Sequence, residues 1–258
     1  MNLHNVMKEI PLTEIGQIQI GHAQDLPAAT GCTVILCPQG AAAGVDVRGG
    51  GPASRETQLL NPVAAAEKIH AVLLSGGSAF GLDAAGGVMQ YLEERNIGFE
   101  TGAAKVPLVC ASCIYDLIIG ASDIRPDKAM GYQACVDAQT NTKTDGCIGV
   151  GTGATVGKFL GPASMKSGLG SFAVQIGDLK IGAIVAVNAL GDVFDSRTGL
   201  QLAGPVCTTH TTANMANPAC ADAVQEHHPA YADTSPRNQP AYADTSQENR
   251  SAYTDITQ

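Results

Sequence analysis

The chain has 258 residues, 45% of them hydrophobic and 15% charged, which is the composition of a folded protein with a real core and excludes a disordered or fibrous chain. Twenty-four acidic against fifteen basic residues leave a net charge of −9, and no lysine or arginine cluster overrides it, so no nucleic-acid partner is expected. The N-terminus lacks an apolar signal core and no run reaches the roughly 18 apolar residues of a membrane span; the expectation is a cytoplasmic chain with no membrane partner.

In chain order, Thr33 to Leu36 is a β-branched run that reads as a strand. The segment GVDVRGGGPASRET, from Gly44 to Thr57, mixes glycines with Asp46, Arg48, Arg55 and Glu56; solvated or structural ion pairs are the first reading, glycine turns arranging a charged pocket the second. Pro62 to His70, with proline at its start and alanines through its body, predicts a helix, and Ala71 to Leu74 a strand. In LLSGGSAFGLD, Ser78 occupies a strand-to-helix turn. The glycine a nucleophile elbow needs two residues later is Phe80, so Ser78 reads as a helix cap. Phe80, Ala84, Val88 and Leu92 recur every fourth position and predict a helix closed by Glu93, Glu94 and Arg95. Gly86-Gly87 inside it implies close packing against another backbone, because each glycine costs about 1 kcal/mol relative to alanine.

Further along, Cys110 and Cys113 form a CxxC in an apolar stretch with nothing to complete four ligands; they read as buried structural thiols, and no metal is expected. Eight cysteines in a chain without an export signal read as reduced. Leu117 to Ile119 and Ile181 to Val187 predict strands, and strands dominate from Gly146 to Phe194. Between these lies GVGTGATVGK, from Gly149 to Lys158. Three residues separate Gly153 from Gly157 where a phosphate loop needs four, and Phe159 stands where that loop needs Ser or Thr. Strands alternating with helices and then with one another predict a layered α/β sandwich.

Composition changes near residue 205. Residues 1–205 form the expected folded body; residues 206–258 form a polar extension holding the isolated pair His227-His228 and an eleven-residue repeat, PAYADTSPRNQ then PAYADTSQENR then SAYTDITQ. Such copies are too short and polar to pack as solenoid units, and a flexible extension is expected.

The ordered blocks GVDVRGGGPASRET, LSGGSAFGLDAAGGVMQYLEE, VPLV followed by IYDL, GVGTGATVGK and VAVNALGDVFD, spanning roughly residues 15 to 205, resemble the S58 (DmpA-type) peptidase family. That family holds self-cleaving aminopeptidases, β-peptidyl aminopeptidases and nylon-oligomer (6-aminohexanoate-oligomer) hydrolases. The resemblance implies a four-layer αββα sandwich and amide hydrolysis through an acyl-enzyme, without a cofactor. It also implies that a Ser or Thr freed by self-cleavage begins a separate β subunit, with several αβ units assembling into an oligomer. The apolar, Ser- or Thr-started strand that should open such a β segment is not found by residue 258, so the chain reads as the α subunit or a truncated precursor. Tyr115 of IYDL, Lys158 of GATVGK and Asn188 of AVNALGD match the family's active-site tyrosine, lysine and asparagine. By resemblance Asn188 donates to the oxyanion, Tyr115 binds or orients the reacting carbonyl and Lys158 tunes the nucleophile. Taken from the residues alone, each also reads as structural: a turn residue, a core aromatic and a solvated cation. Two other functions stay open, an acyltransferase of the ornithine acetyltransferase type and a non-catalytic α-like binding protein.

Overall fold

The computed structural model describes residues 7–159 and 164–205. The predicted boundary past residue 205, His227-His228 and the eleven-residue repeats lie outside the described residues. The strands are β1 (Met7–Glu9), β2 (Gln19–Asp25), β3 (Thr30–Ala41), β4 (Ser54–Arg55), β5 (Ile69–Ser75), β6 (Phe99–Glu100), β7 (Lys105–Val106) and β8 (Val109–Cys113), then β9 (Thr155–Val156), β10 (Met165–Lys166), β11 (Leu169–Ile176), β12 (Leu179–Ala186), β13 (Val193–Phe194) and β14 (Gln201–Ala203). The helices are α1 (Ala84–Glu93) and α2 (Lys128–Asp137). A five-stranded sheet runs in the order β2-β3-β5-β8-β4 and a three-stranded sheet in the order β1-β11-β12; β6/β7, β9/β10 and β13/β14 are short ribbons.

Alternation along β3 builds two cores from one strand. Cys32, Val34 and Leu36 point to one face, where they meet Leu73 of β5, Val109 of β8, and Ala84, Val88 and Leu92 of α1. Ile35, on the opposite face, joins Ile20 of β2 and packs against Ala173 and Ile184 of the three-stranded sheet. Helices, sheet and sheet therefore stack as three layers of the expected α/β sandwich. The second sheet is apolar on its other side as well. Phe172, Leu179, Ile181 and Val185 share that face through the β11–β12 register and are 50 to 59% exposed. A strand pair apolar on both faces is patterned for cover on both.

β5 and β8 run parallel, so α1 serves as their crossover. In α1, Ala84, Val88 and Leu92 are fully buried, as their spacing predicts; Phe80 is not part of the stripe but is 60% exposed in a preceding 3-10 turn, with the Arg125 guanidinium 3.9 Å from its ring centroid. α2 was not predicted. Its inner face is Gly131, Ala134 and Cys135, small residues that leave no apolar period to read, and its start is fixed by Asp127, whose carboxylate accepts from the Met130 N–H at 2.9 Å. The two helices meet backbone to backbone: a Cβ on Gly87 would overlap the Lys128 carbonyl, and one on Gly131 would overlap that of Ala84.

Several expectations are corrected. Pro62 to His70 is not a helix; it is an irregular exposed segment, with Val63 90% exposed, whose last residues, Ile69 and His70, begin β5. Alanine content cannot hold a helix that buries no face. Leu117 to Ile119 is a turn rather than a strand, because β8 ends at Cys113. Ser78 caps nothing: it takes a left-handed backbone (φ 54°), and no side-chain hydrogen bond caps the 3-10 turn or α1. Cys32, Cys37, Cys110, Cys113 and Cys135 are free thiols, whereas Cys147 is disulfide-bonded. The Gly44 to Thr57 segment, by contrast, holds an ion pair as its first reading expects, Arg48 to Asp46 at 2.7 Å with side chains 86 and 70% exposed, while Arg55 donates to Met89 Sδ.

The helix contact gives a prediction with opposite signs at adjacent residues. Gly87→Ala must push α2 away and should lower unfolding stability by about 2 kcal/mol in urea titrations of the full chain. Gly86→Ala meets only the flexible Lys128 side chain and gains about 1 kcal/mol of helix propensity, so stability should hold or rise.

Candidate active site

Tyr115 and Asp116 stand just beyond the C-terminal end of β8, beside the end of its parallel neighbour β5, the place where open α/β sheets present ligand sites. Backbone bonds knit this corner: Ile114 N–H donates to Ser75 O at 2.8 Å, Ser78 N–H to Ile114 O at 3.0 Å, and Gly76 N–H to Gly31 O at 2.8 Å. Asp116 is 2% exposed. Its carboxylate accepts from Gly77 N–H at 2.6 Å and from the Thr30 hydroxyl at 2.8 Å. A Cβ on Gly76 or Gly153 would overlap the same carboxylate, so glycine at both places makes room for it. The glycine loop thus closes on a buried side chain, and Gly149 to Val156 are buried throughout.

The three residues singled out by sequence converge. Asn188 follows β12, and its side-chain amide joins three segments: Oδ1 accepts from Thr155 N–H at 3.1 Å and from Lys158 Nζ at 2.8 Å, while Nδ2 donates to the backbone carbonyl of Tyr115 at 3.1 Å. Backbone bonds from Gly157 N–H to Gly191 O (2.9 Å) and Phe159 N–H to Leu190 O (3.1 Å) carry Lys158 to this place. Its ammonium also donates to Thr155 O and, at 3.3 Å, to Ala189 O. It is no solvated cation. Desolvation pulls the Lys158 pKa down, and the Asp116 charge pulls it partly back. Tyr115 contributes its carbonyl to the cluster, while its side chain is on the surface, the residue being 49% exposed rather than a core filler. With Oδ1 held by two donors, the amide cannot flip, and one N–H of Nδ2 remains beyond its bond to Tyr115.

Sequence reasoning did not single out Asp116, Thr155 or Lys166. Asp116 lies inside the quoted IYDL, but its partners are distant in the chain. Lys166 of β10 inserts its ammonium among the carbonyls of Gly151 (2.8 Å), Ala154 (3.0 Å) and Ser167 (2.6 Å). Burial lowers its pKa to about 8, against the pull of Asp116. Burial also raises Asp116 itself, opposed by the donations from Gly77 and Thr30 and by Lys158. Neither Thr155 nor Cys113 offers a nucleophile: the Thr155 hydroxyl is sealed from solvent, and burial with the nearby Asp116 pushes the Cys113 thiol to about 12. Among the described residues no group of His, Cys, Asp and Glu is placed to hold a metal, and no helix is long and apolar enough to cross a membrane.

This layered architecture is that of N-terminal-nucleophile aminopeptidases. An aminopeptidase/esterase of Ochrobactrum anthropi, a variant of the Ntn hydrolase fold, superposes with a TM-score of 0.53 at 18% identity over 69% of this chain and 53% of its own. A β-aminopeptidase of a Burkholderia species gives 0.51 at 20% identity, over 73 and 57%. The model of peptidase family S58 matches residues 11–239, and the chain belongs to that family. An uncharacterized aminopeptidase of Mycobacterium tuberculosis is 39% identical over 198 residues, 73% of this chain and 56% of its own. A 6-aminohexanoate-oligomer endohydrolase of a Kocuria species is 33% identical over 183 residues, 71 and 49%. The chain therefore spans about half the length of the curated relatives it matches.

Asp116→Asn removes the charge that supports both lysines. In the folded variant, followed by 13C NMR of labelled lysine side chains, the Lys166 titration midpoint, near pH 8 in the parent chain, should move to lower pH. An unmoved midpoint would show that Asp116 does not reach Lys166.

Proposed function

We propose that the chain is the α part of a self-cleaving amide hydrolase that removes N-terminal amino-acyl units from peptides, amides or ω-amino-acid oligomers through an acyl-enzyme. The observation that carries this reading is the Asn188 amide, locked between Lys158, Thr155 and Tyr115 at the mouth of parallel strands. An amide fixed on its acceptor side presents its N–H without reorganisation, which is what stabilising an oxyanion demands. Lys158 sits where its charge lowers the pKa of an adjoining acid and disfavours protonation of an adjoining amine, so it tunes a nucleophile that carries its own α-amine. Tyr115, whose backbone is fixed and whose side chain is exposed, faces the substrate.

The nucleophile belongs to a further segment. The Thr155 hydroxyl is sealed and the Cys113 thiol stays protonated, the curated relatives are about twice as long as the matched region, and the second sheet presents a bare apolar face. A β subunit cut from the same precursor would cover that face as the fourth layer and bring a Ser or Thr terminus to Asn188. αβ units then assemble into an oligomer.

Two outcomes test this. Residues 1–258 expressed alone should hydrolyse no amide; turnover by material that mass spectrometry shows to hold no second chain would sink the proposal. In processed αβ enzyme, Asn188→Ala should lower kcat by about 10² to 10³ with folding retained, as loss of one oxyanion donor does, and unchanged kcat would return Asn188 to a structural role.

A further inference from the structure

Asn188 Oδ1 receives two donors of different kinds. Lys158 Nζ reaches it directly at 2.8 Å. The other donor, Thr155 N–H at 3.1 Å, belongs to the Ala154–Thr155 peptide group, and the carbonyl of that same peptide accepts from Lys166 Nζ at 3.0 Å. A second ammonium therefore stands one peptide away from the site amide, on the far side of the glycine loop. Among the described residues no carboxylate forms a salt bridge with it; three backbone carbonyls, of Gly151, Ala154 and Ser167, take its three protons.

We propose that Lys166 is a positioning residue that strengthens Asn188 as a hydrogen-bond donor through the Ala154–Thr155 peptide. An amide whose oxygen accepts from a cation shifts electron density toward that oxygen, and its N–H becomes a better donor; linked amides pass the effect on, more so where water is excluded. The series here is Lys166 ammonium, Ala154 carbonyl, Thr155 N–H, Asn188 Oδ1, Asn188 Nδ2–H. The same ammonium fixes the place of the loop, because Ala154 O also accepts from Ser167 N–H at 3.0 Å and Gly151 closes the 3-10 turn Gly149–Thr152. Position and polarisation thus come from one side chain. Asp116 lies inside this shell, against Gly153, and holds charge on Lys166 and Lys158 together.

The inference rests on the oxyanion role of Asn188, and a double-mutant cycle separates the two claims. In processed αβ enzyme, Lys166→Met should lower kcat by roughly tenfold with KM unchanged, a size typical of coupled neighbours. In the Asn188→Ala background the same change should lower kcat by less than about twofold, since the group it acts through is gone. A full tenfold loss repeated in that background overturns the relay while leaving the oxyanion role intact; an Asn188→Ala enzyme with normal kcat overturns the role itself.

A second measurement needs no turnover and covers failure of the methionine variant to fold. The 15N side-chain amide resonance of Asn188, assigned by its loss in Asn188→Ala, should shift in the parent chain as pH passes through the Lys166 titration near 8. In Lys166→Arg, whose guanidinium keeps its charge past pH 12, that step should vanish. An unmoved parent resonance, or a step that persists in the arginine variant, overturns the proposal.

Discussion

The site depends on one side-chain amide held from both ends. Asn188 Oδ1 accepts from Thr155 and Lys158, and Nδ2 donates to Tyr115. Those three bonds tie together the turn after β8, the glycine loop and the segment after β12, of which the last two are also joined by backbone bonds from Gly157 and Phe159. An amide with only one such bond could rotate; with its oxygen committed twice, the direction of its N–H is set by the fold.

Behind the amide lies a second constraint, the buried carboxylate of Asp116. A desolvated charge is tolerated only where donors and cations answer it. Gly77, Thr30, Lys158 and Lys166 do so, the first two by hydrogen bonds and the lysines by charge. The glycines at 76 and 153 are the steric consequence. Removing either lysine would leave Asp116 less compensated, so the electrostatics of the corner form one coupled system.

What the sequence made legible follows from how local each signal is. Ala84, Val88 and Leu92 announce α1 because a buried stripe on one helix needs only its own period. Tyr115, Lys158 and Asn188 were found through short motifs matched to a family pattern. α2 left no such trace, since its inner face is small so that its backbone can touch α1, and small residues carry no hydrophobic period. Asp116 and Lys166 were missed for a different reason. Their meaning lies in partners far along the chain, Thr30 and Gly77 for one and the loop carbonyls for the other, and a charged residue in a sequence reads as solvated by default. The segment from Pro62 to His70 failed because propensity without a face to bury makes no helix.

The role proposed for Asn188 is to meet the developing oxyanion with its amide. A crystal structure of full-length, processed enzyme trapped with an aldehyde analogue of its amide substrate tests it most directly. The expected adduct is a covalent hemiacetal on the β-chain hydroxyl whose oxygen lies within about 3 Å of Asn188 Nδ2, with Oδ1 still held by Thr155 and Lys158. An adduct whose oxygen is bound elsewhere, with the Asn188 amide turned away from it, would mean that Asn188 is not the oxyanion donor.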